Sequence, residues 1–144
     1  MKRYSKFGIL LIAFSVLFLG VASVAIARHF WRGETLPAVR AEKRWGNENF
    51  DPVKFKSASI SERARMAASL LKLQKRYIGI DRSDIRARLG DFDGYYFSDM
   101  FPTYMIEEGK DQSEDSWQIV FLLDRNEKVS EIIIHKNCCD KNFK

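Results

Sequence analysis

Residues 117–135 read Trp117-Gln118-Ile119-Val120-Phe121-Leu122-Leu123-Asp124-Arg125-Asn126-Glu127-Lys128-Val129-Ser130-Glu131-Ile132-Ile133-Ile134-His135, and their pattern is that of a β-hairpin. Two runs rich in β-branched and aromatic residues flank a polar pentapeptide, Asp124 to Lys128, that has no apolar side chain to bury. Side chains alternate faces along an extended chain, so Trp117, Ile119, Phe121 and Leu123 share one face, and Ile132 and Ile134 continue it from the neighbouring strand. An apolar sheet face must be covered, and the upstream sequence supplies helices to cover it.

Ser59 and Glu62 stand three apart, as in a capping box, where each side chain satisfies a backbone N–H that the first helical turn leaves unpaired. Met66, Leu70 and Leu73 then recur on one face, Ala67 and Leu71 widen it, and Arg63, Arg65, Lys72 and Lys75 take other positions in a helix that ends before Gly79. A second, shorter helix has Asp81 as N-cap, Asp84 in its first turn, Ile80 against Ile85 as a hydrophobic staple, and Gly90 as the residue that closes it after Leu89. Asp84 and Arg88 are spaced for an i, i+4 pair. Tyr95–Phe97 and Tyr104–Ile106 read as short aromatic strands separated by Pro102, and Glu107–Ser116 as a polar loop. The expected fold is α+β, two helices packed on a three- or four-stranded antiparallel sheet over residues 59–135, behind an N-terminal transmembrane helix. A unit of 77 residues seldom gains more than about 3 to 5 kcal/mol from a single core, so support from flanking chain or a partner is expected.

Phe7 to Ala27 contains no charged residue, and as a helix it would run roughly 31 Å, against a hydrocarbon core of about 30 Å. Thirteen of its 21 residues are Leu, Ile, Val or Phe, so insertion is strongly favoured. The competing reading is a cleaved secretory signal, with residues 1–6 as a basic leader and Ala25-Ile26-Ala27 as a small-x-small cleavage site. Length favours a signal-anchor, because a signal core runs about 7 to 15 residues. No cysteine follows the run to accept a lipid. Lys2, Arg3 and Lys6 precede it, whereas Arg28, Arg32, Arg40, Lys43 and Arg44 follow, so the positive-inside rule alone does not fix orientation. The short basic leader points to an inner N-terminus and a domain on the outer, periplasmic or extracellular, side.

The net charge of +5 is concentrated near this run: residues 57–144 carry fourteen basic and fifteen acidic side chains. Such a domain gives little support to nucleic-acid binding, while juxtamembrane basic residues are drawn to anionic headgroups. Residues 28–58 show no sustained period and contain Pro37 and Pro52, which reads as a tether whose later part, with Trp45, Phe50, Val53 and Phe55, packs on the domain. Phe30 and Trp31 fall where aromatics sit at headgroup level. Gly8, Ser15 and Ala22 recur every seven residues, a spacing that lets two such helices approach closely as a homodimer. Residues 136–144 form a polar tail.

The segment Gly79-Ile80-Asp81-Arg82-Ser83-Asp84-Ile85-Arg86-Ala87-Arg88-Leu89-Gly90, followed by aromatic strands and Trp117 to Asp124, resembles the SmpA/OmlA (BamE-like) domain, and Phe50-Asp51-Pro52 and Arg63-x-x-Met66 are similar to small bacterial proteins that carry one. The resemblance covers roughly residues 50–135. Phe92 stands where the family commonly has Pro. The resemblance implies an α+β fold, a cell-envelope setting and contact with another envelope protein.

Cys138 and Cys139 are the only cysteines. Adjacent Cα atoms lie about 3.8 Å apart, short of the usual 4.4 to 6.8 Å of a disulfide, so they read as thiols of a polar tail or as partners of another chain. With His135 they define the alternative function, a metal- or redox-dependent sensor or enzyme, although the spacing is not that of a zinc motif. Asp91-Phe92-Asp93-Gly94 opens like a calcium loop but lacks the later carboxylates in register, and reads as a polar turn. No serine, cysteine or histidine lies in a recognisable catalytic arrangement, and no cofactor motif is present. Tyr95, Tyr96, Phe101, Tyr104 and Trp117, with Phe97, form the densest aromatic group: core by default, partner-binding wherever rings reach the surface. Arg82 and Arg86 read as a solvated basic stripe. The reading that follows is a membrane-anchored, non-enzymatic interaction or assembly module.

Overall fold

A computed structural model describes residues 34–109 and 115–137. The apolar run 7–27, its leader, the first residues of the expected tether, and Cys138 and Cys139 lie outside the described residues. Among the described residues, no helix is long and apolar enough to cross a membrane.

The hairpin is the centre of the fold. Strands β3 (Trp117–Leu123) and β4 (Val129–Lys136) pair antiparallel with Ile119 opposite Ile134 and Phe121 opposite Ile132. Asp124 closes the turn between them by accepting the Asn126 and Lys128 N–H groups at 2.8 and 3.1 Å. β2 (Thr103–Glu107) borders β3, and a two-residue strand, β1 (Glu34–Thr35), borders β4, giving an antiparallel sheet of order β1-β4-β3-β2.

Four helices cover one face: α1 (Ala38–Trp45), α2 (Pro52–Ser57), α3 (Ile60–Lys72) and α4 (Arg82–Leu89), with a 3-10 turn at Gln74–Arg76. The expectation of two helices is thereby corrected to four. The two additional ones lie in chain read as tether, because eight and six residues are too short to display a helical period. What holds them is their apolar side chains. Phe55 of α2 is fully buried and meets Tyr104 edge-to-face at 5.3 Å, while Phe50 packs on Phe55 at 5.4 Å and on Tyr77 at 5.9 Å. Rings in this arrangement present the positive edge of one to the negative face of the next. Asp51 caps α2 by accepting the Val53 and Lys54 N–H groups, and Pro52 occupies the first helical position, where a missing N–H costs nothing.

α3 has the capping box: Ser59 accepts from the Glu62 N–H and Glu62 accepts from the Ser59 N–H at 2.9 Å. Met66 and Leu70 are fully buried, whereas Leu73 ends the helix and is only partly buried. α4 departs from its expected start. Asp81 stands at the N-cap, but its carboxylate pairs with Lys128 at 2.9 Å and leaves the helix uncapped by a side chain. The competing bond joins α4 to the hairpin turn, where Asp81 also bridges Lys128 through the backbone. Gly90 closes α4 at φ +93° and lies against Lys56 of α2, where a Cβ would meet backbone and side chain at 3.2 to 3.3 Å.

The other sheet face is covered by irregular chain. Tyr95–Phe97 is not a strand, a second correction: its contact is a lone bridge between Tyr96 and Ser98, and Phe97 takes φ +54°. The segment instead lies across the sheet and uses a side chain as its strand neighbour. Gln118, fully buried, accepts the Tyr95 N–H at 3.2 Å and donates to the Tyr95 carbonyl at 2.7 Å. Tyr96, Val120 and Ile133 form a small second core beneath it, with Phe101 and Leu122 at its margin.

Candidate functional site

A cleft of about 690 Å³ opens between the end of α1, the start of α3 and the end of β2. Trp45, Ile60, Ala64 and Ile106 supply apolar lining, and Ser59, Ser61, Arg65, Glu107 and Glu108 polar groups. Trp45 ends α1 and stands edge-to-face on Trp117 of β3 at 5.8 Å, so the core itself fixes this wall. Glu107 ends β2. Its carboxylate accepts from both Arg44 Nε, at 3.1 Å, and Arg44 Nη2, at 2.5 Å, and from Trp45 Nε1 at 2.6 Å. The Arg44 bond holds the Glu107 carboxyl below the ordinary carboxylate range, partial burial opposes this, and the Trp45 bond adds to it. The Arg44 guanidinium also lies over the rings of Trp45 and Trp117 at 5.2 and 5.3 Å. The cleft thus carries a pre-positioned Trp45 and Glu107 carboxylate, bonded to each other and held by Arg44, which stands beside the cleft.

The aromatic group read from the sequence divides. Tyr104 is fully buried, donates its hydroxyl to the Gly90 carbonyl at 3.0 Å, and has its phenol pushed upward in pKa by burial. Trp117 is buried in the main core and Tyr96 in the second, while Phe101 is partly buried at its margin. Of the five, Tyr95 alone is exposed, and Phe97 and Met100 on the same loop join it. The surface-capable rings were not separable from the core rings by pattern, because the strand alternation that sorts faces does not operate in this loop.

His135 lies on β4 opposite Gln118, 4% exposed, with its ring 4.7 Å from that of Tyr96 and its Nδ1 without a hydrogen-bond partner. Burial lowers its pKa. Its proposed companions, Cys138 and Cys139, fall outside the described residues, and among the described residues no three His, Cys, Asp or Glu side chains are placed to hold a metal ion.

The remaining motifs resolve as structure. Asp93 accepts from the Met105 N–H at 2.9 Å and pairs with Arg63, and Asp91 pairs with Arg86 at 2.6 Å, so both carboxylates of the calcium-like turn have protein partners. Gly94 lies flat on the sheet, where a Cβ would meet Thr103 Cγ2 at 2.6 Å and Gln118 Oε1 at 2.9 Å. Arg82 is a clamp rather than part of a free basic stripe: it donates to the Met100 and Asp99 carbonyls at 2.7 and 2.8 Å and lies over Phe92 at 5.1 Å.

No protein family, curated protein or solved structure matches the chain.

Proposed function

We propose that this protein is a membrane-anchored, non-enzymatic interaction or assembly module of the bacterial cell envelope, held by the apolar run Phe7–Ala27 with its domain on the outer side and contacting another envelope protein through the cleft at Trp45. The observation that carries this reading is the constellation in the cleft. Binding energy at protein interfaces concentrates on Trp, Tyr and Arg anchors that become desolvated in the complex, and here Trp45 lines the cleft beside Ile60, Ala64 and Ile106 and is held by Glu107 and Trp117, with Arg44 next to it. Fixed side chains lose little entropy on binding. The resemblance of residues 50–135 to the SmpA/OmlA domain favours the same class of role.

A photo-crosslinking amino acid at Ser61, an exposed position lining the cleft, tests it in intact cells. A discrete adduct with another protein is expected from Ser61 and not from Val53, which is 79% exposed on α2. Identical smears or no adduct from both positions contradict it.

The alternative, a metal- or redox-dependent site at His135, Cys138 and Cys139, is disfavoured by the packing of His135 beneath Tyr96. A metal stoichiometry that is lost on replacing both cysteines would revive it.

A further inference from the structure

The loop over the back of the sheet leaves two aromatic rings exposed. Tyr95 is 55% and Phe97 63% exposed, and the Tyr95 hydroxyl donates to the Phe97 carbonyl at 2.9 Å, which ties the two residues together. Phe97 occupies the left-handed region at φ +54°, a conformation disfavoured for a bulky side chain, and its ring packs against Tyr96 at 4.7 Å and His135 at 6.4 Å.

His135 lies opposite Thr35 of β1, and Lys136 opposite Glu34. Phe97 therefore lies beside β4, the strand that pairs with the edge strand β1, while Tyr95 is bonded to Gln118 of β3, one strand spacing, roughly 5 Å, further in. In the sequence, Glu34 follows the last residue of the uncharged run, Ala27, by seven positions, and seven residues of fully extended chain reach at most about 25 Å.

We propose that Tyr95 and Phe97 dock on the lipid headgroup layer, so that this rim of the domain, and not the helical face that carries the cleft, lies against the bilayer. The inference rests on the membrane-anchored reading above. A tether of this length limits how far β1 can lie from the surface, and a tyrosine ring with its polar tip favours the headgroup level, with the apolar Phe97 ring beside it. Among the described residues, Lys136 on this side of the sheet is paired with Asp115 at 2.8 Å and lies 3.8 Å from Glu34, so its charge is met within the domain and the docking argument rests on the rings.

The test uses the full chain with Cys138→Ser and Cys139→Ser, reconstituted in vesicles of phosphatidylethanolamine and phosphatidylglycerol. One cysteine is introduced, by Met100→Cys on the same loop as the two rings or by Val53→Cys on the opposite face, and labelled with an environment-sensitive fluorophore. Both side chains are exposed, at 52% and 79%, and both rings stay in place. Flotation of the vesicles after an alkaline wash reports the anchor separately. The proposal expects chain that floats, a label at position 100 that loses roughly twofold in emission to shallow nitroxide lipids, consistent with interfacial depth, a label at position 53 that does not, and reversal of the loss by Phe97→Ser. Chain that floats with both labels unquenched overturns the docking and leaves the anchor intact, whereas chain that fails to float overturns both. Shielding at position 100 in native membranes but not in pure lipid also overturns it, in favour of a protein occupant.

Discussion

His135 is a histidine placed where a hydrophobic residue would serve, with an unpartnered Nδ1 and a ring seated against Tyr96. Desolvation disfavours the imidazolium, so the folded state holds a pKa below the ordinary 6.5. The unfolded chain then binds the proton first as pH falls. Stability from this group is complete above about pH 6.5 and is lost as pH falls from there toward the lower folded value. Glu107, held down by Arg44, acts in the same direction but only below the carboxylate value of 4.5, so the two windows separate. Urea unfolding of the full chain in detergent, followed by tryptophan fluorescence at pH 7.5 and 5.5, is expected to show lower stability at the acid value. His135→Leu should abolish that difference while remaining within about 1 kcal/mol of the parent at pH 7.5, since the replaced ring atom has no bond to lose. A parent that is equally stable at both values, or a variant that keeps the difference, contradicts the assignment.

At the scale of elements, the hairpin and α3 were legible because each is long enough for its period to repeat: Trp117, Ile119 and Phe121 share the core face with Ile132 and Ile134, and Met66 and Leu70 follow the helical repeat into it. α1 and α2 are two turns or fewer. Asp51-Pro52 was the available signal for α2, a side-chain cap followed by a residue suited to the first turn, but periodicity cannot weigh a single turn. Tyr95–Phe97 failed for another reason. Its residues have strand propensity, yet the buried amide of Gln118 takes the bonds a strand neighbour would have taken. The consequence for stability is large. Beginning the domain at Ser59 removes Ala41 and Phe55 and the partly buried Leu36, Trp45 and Phe50 from the core. A fully buried large apolar side chain contributes about 1.5 to 3 kcal/mol, so their joint loss is comparable to the 5 to 15 kcal/mol that holds a typical domain. A chain starting at Glu34 is expected to unfold cooperatively with a near-ultraviolet dichroism signal, and one starting at Ser59 to have neither. Retention of a sharp transition by the shorter chain contradicts this.

For the whole molecule, the sequence carries the run proposed as the anchor and the structure carries the faces. The uncharged run is readable from composition alone, as is the basic excess that flanks it. The cleft was not readable, because it joins Trp45 to Glu107 across 62 positions and to Ile60 and Ala64 of α3, and no local pattern encodes such a meeting. The two surfaces are separable. The cleft lies among the helices, whereas Tyr95 and Phe97 lie on the opposite sheet face, so a protein can be engaged while the rim rests on lipid. Both roles require that residues 7–27 remain attached and in the bilayer. Alkaline carbonate extraction of cell membranes, with the mass of the recovered chain determined, measures this directly. The account predicts a chain that retains residues 1–27 and stays with the lipid pellet. A soluble product whose first residue is Arg28 would contradict it.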